Sequence, residues 1–260
     1  MIFFQKYIEQ FTTEGSQEKS ELAQLLSATR SKYDLHQGGS PVDAFPAFVD
    51  QYNWLGQKIN KEKYGISENL ARNLPGAMFQ DYLVHLAIKL CENFPSLEIF
   101  TEVKVPFGNY PIWRAGKVTW VQPSERSDIA VGYRTKDGVI AEASDPWPRQ
   151  PFYSLSSEES VIPLATLNSK IRVSQSEFFD WHGREQLMTK GNPNCFSAQV
   201  VLRKEMDMNI VEAAQAGERF FLLGGGGERN VIPNPLELNR FIEAFQDHLN
   251  DKMLAVQQPQ

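Results

Sequence analysis

The sequence contains no long hydrophobic run, which argues against a membrane protein. A membrane-spanning helix needs about 18 or more consecutive apolar residues, and no segment of these 260 residues approaches that length. The first residues, "MIFFQKYIEQF", lack the basic stretch, long apolar core and small-residue cleavage site of a signal peptide. They have the pattern of an amphipathic helix. We therefore expect a cytoplasmic protein that does not associate with membranes.

Cysteine is also scarce, which excludes a scaffold held together by disulfides. The two cysteines, Cys91 and Cys195, are far apart, and neither belongs to a Cys-x-x-Cys or Cys/His pattern. A structural zinc site needs closely spaced ligands of that kind. The four histidines have no metal-ligand spacing either. Reduced thiols, as in the cytoplasm, are the expectation.

An excess of positive charge is missing as well, and the net charge of −6 counts against nucleic-acid binding by the molecule as a whole. The charge is uneven, however, because the window 168–204 contains six Lys or Arg residues and three acidic residues. A local basic surface can follow phosphates on an acidic protein, although an ordinary solvated face gives the same pattern. The remaining composition, 42% hydrophobic and 22% charged, is typical of a globular protein.

The order of the elements predicts an α/β fold with a helical region in front. Residues 1–68 are polar and helical in pattern, with a loop near "LHQGGSPVDAFP", and we expect them to serve DNA grip or dimerisation. Residues 69–260 follow the order helix, strands, helix, strand, helix. That order indicates a mixed β-sheet flanked by helices.

Several short runs predict strands and turns in the second region. The strand candidates are "LEIFTEVKVPF", "KVTWV", "SDIAVGY", "VIPLATLNSKIRV", "CFSAQVVLRK" and "RFFLLG". "RTKDG" followed by "VIAEAS" predicts a hairpin, because Asp-Gly between apolar runs is a turn signal. "LLGGGGERN" lacks the Lys-Ser/Thr ending of a phosphate-binding loop and predicts a flexible turn.

The last helix has a clear start signal. Asn234 is a suitable N-cap, Pro235 suits the first helical position, and Glu237 completes a capping box. An apolar stripe at helical spacing follows, consisting of Leu238, Phe241, Ile242, Phe245 and Leu249. The spacing predicts that this helix packs one face against the core.

Periodicity also distinguishes charged side chains on a polar face from those that face inward. Alternation in the strand 161–173 places Lys170 on a polar face with Asn168. Asp128 has apolar neighbours in "SDIAVGY", where an acid is costly unless it has a cation or hydrogen-bond donors. In the helix 176–190, at about 100° per residue, Glu185 falls roughly 20° from Phe178, on the apolar side. Glu185 therefore needs a partner, for which Lys170 and a metal ion are the candidates.

Asp128, Lys170 and Glu185 together suit the hydrolysis of a phosphodiester. Two carboxylates can hold Mg²⁺, a hard cation that prefers oxygen ligands. The metal lowers the pKa of a bound water and neutralises charge that develops on the phosphate. A lysine can orient the water and stabilise the same charge.

"SDIAVGY" followed by "LNSKIRVSQSEFFDWHGREQLMTKG" resembles the PD-(D/E)XK pattern of Type II restriction endonucleases. The resemblance is closest to the two-subunit enzymes that cut CCTNAGC-like sites, and it covers roughly residues 70–250. It implies a restriction-endonuclease-like fold, with Asp128 as a metal ligand and Lys170 as the motif lysine. It also implies Mg²⁺ as cofactor, double-stranded DNA as substrate, and a related second subunit or a homo-oligomer as partner.

The sequence departs from the family pattern at two positions. The acid expected two residues before the lysine is Asn168, and a neutral amide would weaken metal binding. Some family members place this acid in the following helix, where Glu185 stands. Glu142 and Glu177 are the alternatives, although Glu177 also reads as a first-turn acid at the helix N-terminus.

The second departure lies in the helix that contains "GAMFQDY". The family often has a glutamate four residues after the helix glycine, and here Gln80 stands at that position. Asp81, its neighbour, is a weaker candidate for the same role.

The sequence thus predicts one subunit of a Mg²⁺-dependent Type II restriction endonuclease, part of a restriction–modification system. Two alternatives stay open. One is a DNA-binding subunit without a working active site, which the neutral Asn168 and Gln80 would suit. The other is a repair or mobile-element nuclease with the same fold.

Overall fold

The computed structural model divides the chain into two compact units, each assembled from separate segments. The first unit contains Met1–Leu90, Ser169–Gln175 and Val200–Glu243, and the second contains Cys91–Asn168, Ser176–Gln199 and Ala244–Gln260. The boundary expected between residues 68 and 69 falls within the first unit, at the start of a helix, and stays a prediction.

The structure describes residues 3–34, 40–106, 110–114, 117–135, 140–143, 153–156, 160–204, 210–212, 214, 219–227 and 230–257. The helices are α1 (Phe3–Glu14), α2 (Gln17–Asp34), α3 (Pro41–Lys58), α4 (Glu68–Leu90), α5 (Gln175–Gly191) and α6 (Pro235–Gln257). The strands are β1 (Glu98–Pro106), β2 (Tyr110–Arg114), β3 (Lys117–Thr135), β4 (Ile140–Ala143), β5 (Tyr153–Ser156), β6 (Ser160–Val173), β7 (Phe196–Lys204), β8 (Phe220–Leu222), β9 (Gly224–Gly227) and β10 (Asn230–Pro233). The expected mixed α/β architecture, with helices at the N-terminus, is confirmed.

An aromatic core joins α3 and α4 in the first unit. The Phe48 ring stacks on Tyr82 with a centroid distance of 4.4 Å and lies 6.3 Å from the Phe79 ring. Phe79, Tyr82 and Leu83 of α4 are buried. The loop predicted near residues 35–46 does not extend beyond Ser40, because α3 begins at Pro41; residues 35–39 lie outside the described residues. Proline suits the first turn of a helix, where its missing N–H needs no partner.

Asp81 connects α4 to the start of α1. Its side chain is fully buried and accepts hydrogen bonds from the backbone N–H groups of Phe3, at 2.9 Å, and Phe4, at 3.1 Å. The first N–H groups of a helix have no partner within the helix, and a carboxylate there also interacts favourably with the helix dipole. Asp81 therefore acts as a remote cap for α1.

The glycine run of the first unit forms a strand and not the predicted flexible turn. Gly224–Gly227 (β9) pairs antiparallel with Asn230–Pro233 (β10), with Gly226 opposite Val231. Glycine is needed here because a Cβ at Gly224 would lie 2.7 Å from the Leu202 carbonyl oxygen. Asn53 of α3 binds the outer strand, since it donates to the Val231 carbonyl at 2.8 Å and accepts from its N–H at 2.7 Å.

The start of α6 agrees with the predicted cap in part. The Glu237 N–H donates to Asn234 Oδ1 at 3.3 Å, and the predicted apolar stripe is buried. The Glu237 carboxylate accepts from Arg240 Nε at 2.9 Å. Asn234 thus forms the hydrogen bond expected of the N-cap residue, and the Glu237 carboxylate binds Arg240 in the next turn of α6.

The sheet of the second unit is built on β3. The strand order is β5-β4-β3-β6-β7, and β1 and β2 also pair with β3. Ile129 stands opposite Thr101 of β1 on one side and opposite Leu167 of β6 on the other. The two runs predicted as separate strands, "KVTWV" and "SDIAVGY", belong to this one strand.

The hairpin predicted from "RTKDG" is wrong. β4 runs parallel to β3 and pairs with its first half, with Gln122 opposite Ile140. Residues 129–132 of β3 have β1 on one side and β6 on the other, so a returning strand cannot pair with that part of β3. The position of β4 is therefore determined by pairing between distant segments and not by the local turn signal.

Both cysteines lie in the described part of the chain. Cys91 and Cys195 are both buried and form no disulfide within the described residues, and burial raises the pKa of the Cys91 thiol to about 11. Such a thiol stays protonated and unreactive at neutral pH. Within the described ranges, no helix is long and apolar enough to cross a membrane.

Replacing Asp81 with Ala should lower the free energy of unfolding by about 3 kcal/mol, because two buried N–H groups lose their charged acceptor. Urea unfolding followed by circular dichroism measures this change. Asp50→Ala, which removes an exposed acid from α3, is the matched control and should change stability by less than about 0.5 kcal/mol. A loss below about 1 kcal/mol for Asp81→Ala would contradict the capping role.

Candidate functional site

A pocket in the second unit lies between α5 and strands of the sheet. Its cavity volume is about 40 Å³. The lining residues come from β1, β3, β6, α5 and β7, and they are Val105, Arg126, Ser127, Thr166, Asn168, Trp181, Arg184, Glu185, Met188 and Ser197. Polar and charged side chains are a majority of this set, which is unusual for a pocket under a helix.

Glu185 reaches this pocket because of the helical period of α5. The apolar stripe predicted for this helix is buried at Phe178, Trp181 and Met188. Glu185 lies on the same side, is half-buried and lines the pocket. Glu177 is exposed and is not among the lining residues. Of the two acids of α5 considered from the sequence, Glu185 is the one directed to the pocket.

Asn168 contributes an oxygen without a hydrogen-bond partner. Its Oδ1 atom is buried and accepts no hydrogen bond from the described residues. A buried polar atom in this state is costly unless a donor or a cation satisfies it. Asn168 and Glu185 line the same pocket, so two oxygen acceptors face one space. This donor set fits a hard cation such as Mg²⁺, which prefers oxygen ligands.

Asp128 lies beside the pocket. Ile129 and Leu167 face each other across the β3–β6 ladder, and both are buried. Side chains alternate along a strand, so their neighbours Asp128 and Asn168 share the opposite face of the sheet. Asp128 is half-buried but does not line the pocket itself.

No group of three or more His, Cys, Asp or Glu side chains is arranged to hold a metal among the residues that the structure describes. Asp128 and Glu185 supply only two carboxylates. A metal site at this pocket would therefore depend on a ligand of another type. The amide oxygen of Asn168 is such a ligand.

The other residues singled out from the sequence lie elsewhere. Lys170 is exposed, two residues after Asn168 on β6, and belongs to the first unit. The backbone of Glu142 lies in β4, but its side chain is outside the described residues. Asp81 is occupied as the cap of α1 and is unsuited to the role considered for it. Gln80, beside it, is half-buried on α4.

Two arginines of the pocket were not found from the sequence. Arg126 of β3 pairs with Glu102 at 3.1 Å, and Arg184 of α5 pairs with Asp180 at 2.8 Å. Glu102 has a φ of +50°, a left-handed conformation that is rare for residues other than glycine. Arg184 belongs to the basic window noted in the sequence, but Arg126 has no sequence signal.

Gln199 is a second unsatisfied amide near the pocket. It is fully buried, and neither its Oε1 nor its Nε2 atom has a hydrogen-bond partner within the described part of the chain. It follows Ser197, a lining residue, by two positions on β7 and so shares its face of the strand. An apolar residue would be expected at such a position on packing grounds alone.

Replacing Gln199 with Met should raise the free energy of unfolding by about 1 to 3 kcal/mol, because it removes an unpaired buried amide at similar volume. Chemical denaturation measures the change. Gln57→Met on the exposed surface of α3 is the control and should leave stability within about 0.5 kcal/mol of the wild type. A destabilised Gln199→Met would show that the amide is satisfied in solution.

The fold has a counterpart among solved structures, although sequence comparison finds none. No protein-family model and no curated protein match the chain. The chain resembles one in a structure described as "native BbvCI A2B2 tetramer at low resolution", with a TM-score of 0.64 and 12% sequence identity. The match covers 97% of this chain and 98% of the other.

BbvCI is a two-subunit Type II restriction endonuclease. At 12% sequence identity, structural similarity establishes the fold alone. The resemblance stated from the sequence is confirmed for the fold. This chain therefore has the mixed α/β fold of a restriction endonuclease.

Proposed function

We propose that this chain is a subunit of a Mg²⁺-dependent Type II restriction endonuclease that hydrolyses double-stranded DNA at a specific site. One observation carries the proposal. The carboxylate of Glu185 lines a single pocket with the buried Oδ1 of Asn168, for which the described part of the chain offers no hydrogen-bond donor. A restriction-endonuclease fold supports assigning that pocket to phosphodiester hydrolysis.

Asp128, Asn168 and Glu185 would hold the metal ion, two as carboxylates and one as a neutral amide. When bound, Mg²⁺ lowers the pKa of a coordinated water and neutralises charge on the phosphate. Trp181 and Met188 are buried beside Glu185 on α5, so they limit its rotamers and keep its carboxylate directed into the pocket. Lys170 keeps the role that the resemblance implies for it, an ammonium group that stabilises developing negative charge.

The chain would act in an assembly. Cleavage of both DNA strands needs two active sites, and the structural neighbour is an A2B2 tetramer. A related second subunit is therefore the proposed partner, and it would provide the asymmetry that a non-palindromic site requires. A homo-oligomer is the alternative for a palindromic site.

A DNA-binding subunit without its own active site is the main competing proposal. The neutral Asn168 and Gln80 favour it, because both stand where the family pattern has acids. A repair or mobile-element nuclease of the same fold is the other. Digestion of phage DNA with Mg²⁺, by the chain alone and together with the product of its neighbouring gene, separates the three. A restriction enzyme leaves discrete fragments, a repair nuclease leaves none, and a subunit without an active site leaves the DNA intact when alone.

Glu185→Ala and Lys170→Ala should each reduce Mg²⁺-dependent cleavage by roughly 100-fold or more, since one loses a metal ligand and the other a charge-stabilising group. The rate of supercoiled plasmid cleavage measures the effect. Glu177→Ala is the matched control, because it removes an exposed acid from the same helix and should leave the rate unchanged. If cleavage survives both changes at the wild-type rate, the proposed site is wrong.

Asn168→Asp should bind Ca²⁺ roughly tenfold more tightly than the wild type, because a third carboxylate replaces a neutral oxygen ligand. Isothermal titration calorimetry measures this affinity without any need for turnover. Asn73→Asp adds the same charge to an exposed position of α4 and should have no effect. Equal Ca²⁺ affinity of Asn168→Asp and the wild type would exclude residue 168 from the metal site.

A further inference from the structure

Two guanidinium groups border the pocket that contains Asn168 and Glu185. Arg126 comes from β3 and Arg184 from α5, so they approach the pocket from two different elements. Both are largely accessible, with side chains 65% and 53% exposed. The charged lining residues are thus two arginines and one glutamate, in a chain whose net charge is −6.

The present partners of these arginines do not prevent them from binding an anion. Arg126 pairs with Glu102 at 3.1 Å, and Arg184 pairs with Asp180 at 2.8 Å. Ion pairs between exposed side chains contribute little in water, because solvent screens them and two long side chains must be held in place. A phosphate can accept two parallel hydrogen bonds from one guanidinium, which makes it a strong competitor for the same group.

We propose that Arg126 and Arg184 bind phosphates of the DNA backbone at the mouth of the pocket and so place a phosphodiester next to Asn168 and Glu185. This inference rests on DNA as the substrate of the proposed function. Within the proposed function, the oxygens of Asn168 and Glu185 would hold a divalent ion that offsets the negative charge inside the pocket. The two arginines at the rim then provide cationic contacts for the phosphates that flank the cleaved bond.

The two arginines come from separate elements, and this favours the backbone of DNA over a small anion as their ligand. A small anion needs a single cradle of converging donors, such as a helix N-terminus or a nest of backbone N–H groups. Here the donors are long, exposed side chains on separate elements, and each forms an ion pair with an exposed acid. That arrangement suits an extended polyanion with regularly repeated charges, and it supplies positioning without base specificity.

The test is equilibrium binding of a fluorescently labelled, random-sequence DNA duplex by anisotropy, in EDTA so that no metal contributes. Arg126→Ala and Arg184→Ala should each weaken binding roughly tenfold and reduce the salt dependence of log K by about 0.9 per lost phosphate contact. Arg134→Ala is the matched control. Arg134 forms an exposed ion pair with Glu98 in the same unit, at 3.1 Å, but does not line the pocket.

The outcomes distinguish this inference from the proposed function. If the wild type cleaves DNA with Mg²⁺ but both pocket variants keep wild-type affinity and salt dependence, the arginines do not bind phosphate and the inference fails alone. If both variants bind more weakly while the wild type cleaves nothing under any condition, the inference stands and the nuclease proposal fails. If Arg134→Ala lowered the affinity for DNA as much as the two pocket variants do, the effect would come from net charge alone, and the inference would be overturned. Thermal melting of each variant shows that the exposed substitutions leave the fold intact.

Discussion

The β3 ladder is the constraint on which the second unit depends. This strand continues without interruption from Lys117 to Thr135 and pairs with β1, β2, β4 and β6 along its length. Its register with β6 places Ile129 against Leu167. A shift of β6 by one residue against β3 would turn Asn168 to the other face of the sheet, away from Asp128 and among apolar side chains. The hydrophobic pairing of the ladder therefore determines which polar groups face α5.

The pocket combines groups that a stable core would avoid. The buried amide oxygen of Asn168 and the buried amide of Gln199 have no hydrogen-bond partner in the part of the chain that the structure describes, and unpaired polar atoms lose their hydration on burial. Such an arrangement is stable only when something else satisfies these atoms or the surrounding packing compensates for them. The aromatic and aliphatic stripe of α5 supplies that packing, with Phe178 and Trp181 buried. Sites of binding or catalysis are where such local conflicts concentrate.

Local patterns in the sequence predicted the elements better than their pairing. The period of α5 was sufficient to direct Glu185 inward, and the caps of α6 were sufficient to place its start. Strand partners depend on residues far apart in the chain, which explains why a turn signal misplaced β4. Asp81 looked like an alternative active-site acid, yet its partner is the beginning of α1, which no short motif could indicate. Arg126 was missed for a related reason, since exposed arginines are common and only the fold brings this one to the pocket.

The interleaving of the two units restricts how this protein can change over generations. The chain passes between them five times, and β6, α5, β7 and α6 each contribute residues to both. No single breakpoint in the gene separates one unit from the other. Neither unit can therefore be exchanged between relatives as an intact module by recombination. New specificity would have to arise through point substitutions and loop insertions within a framework that is inherited as a whole.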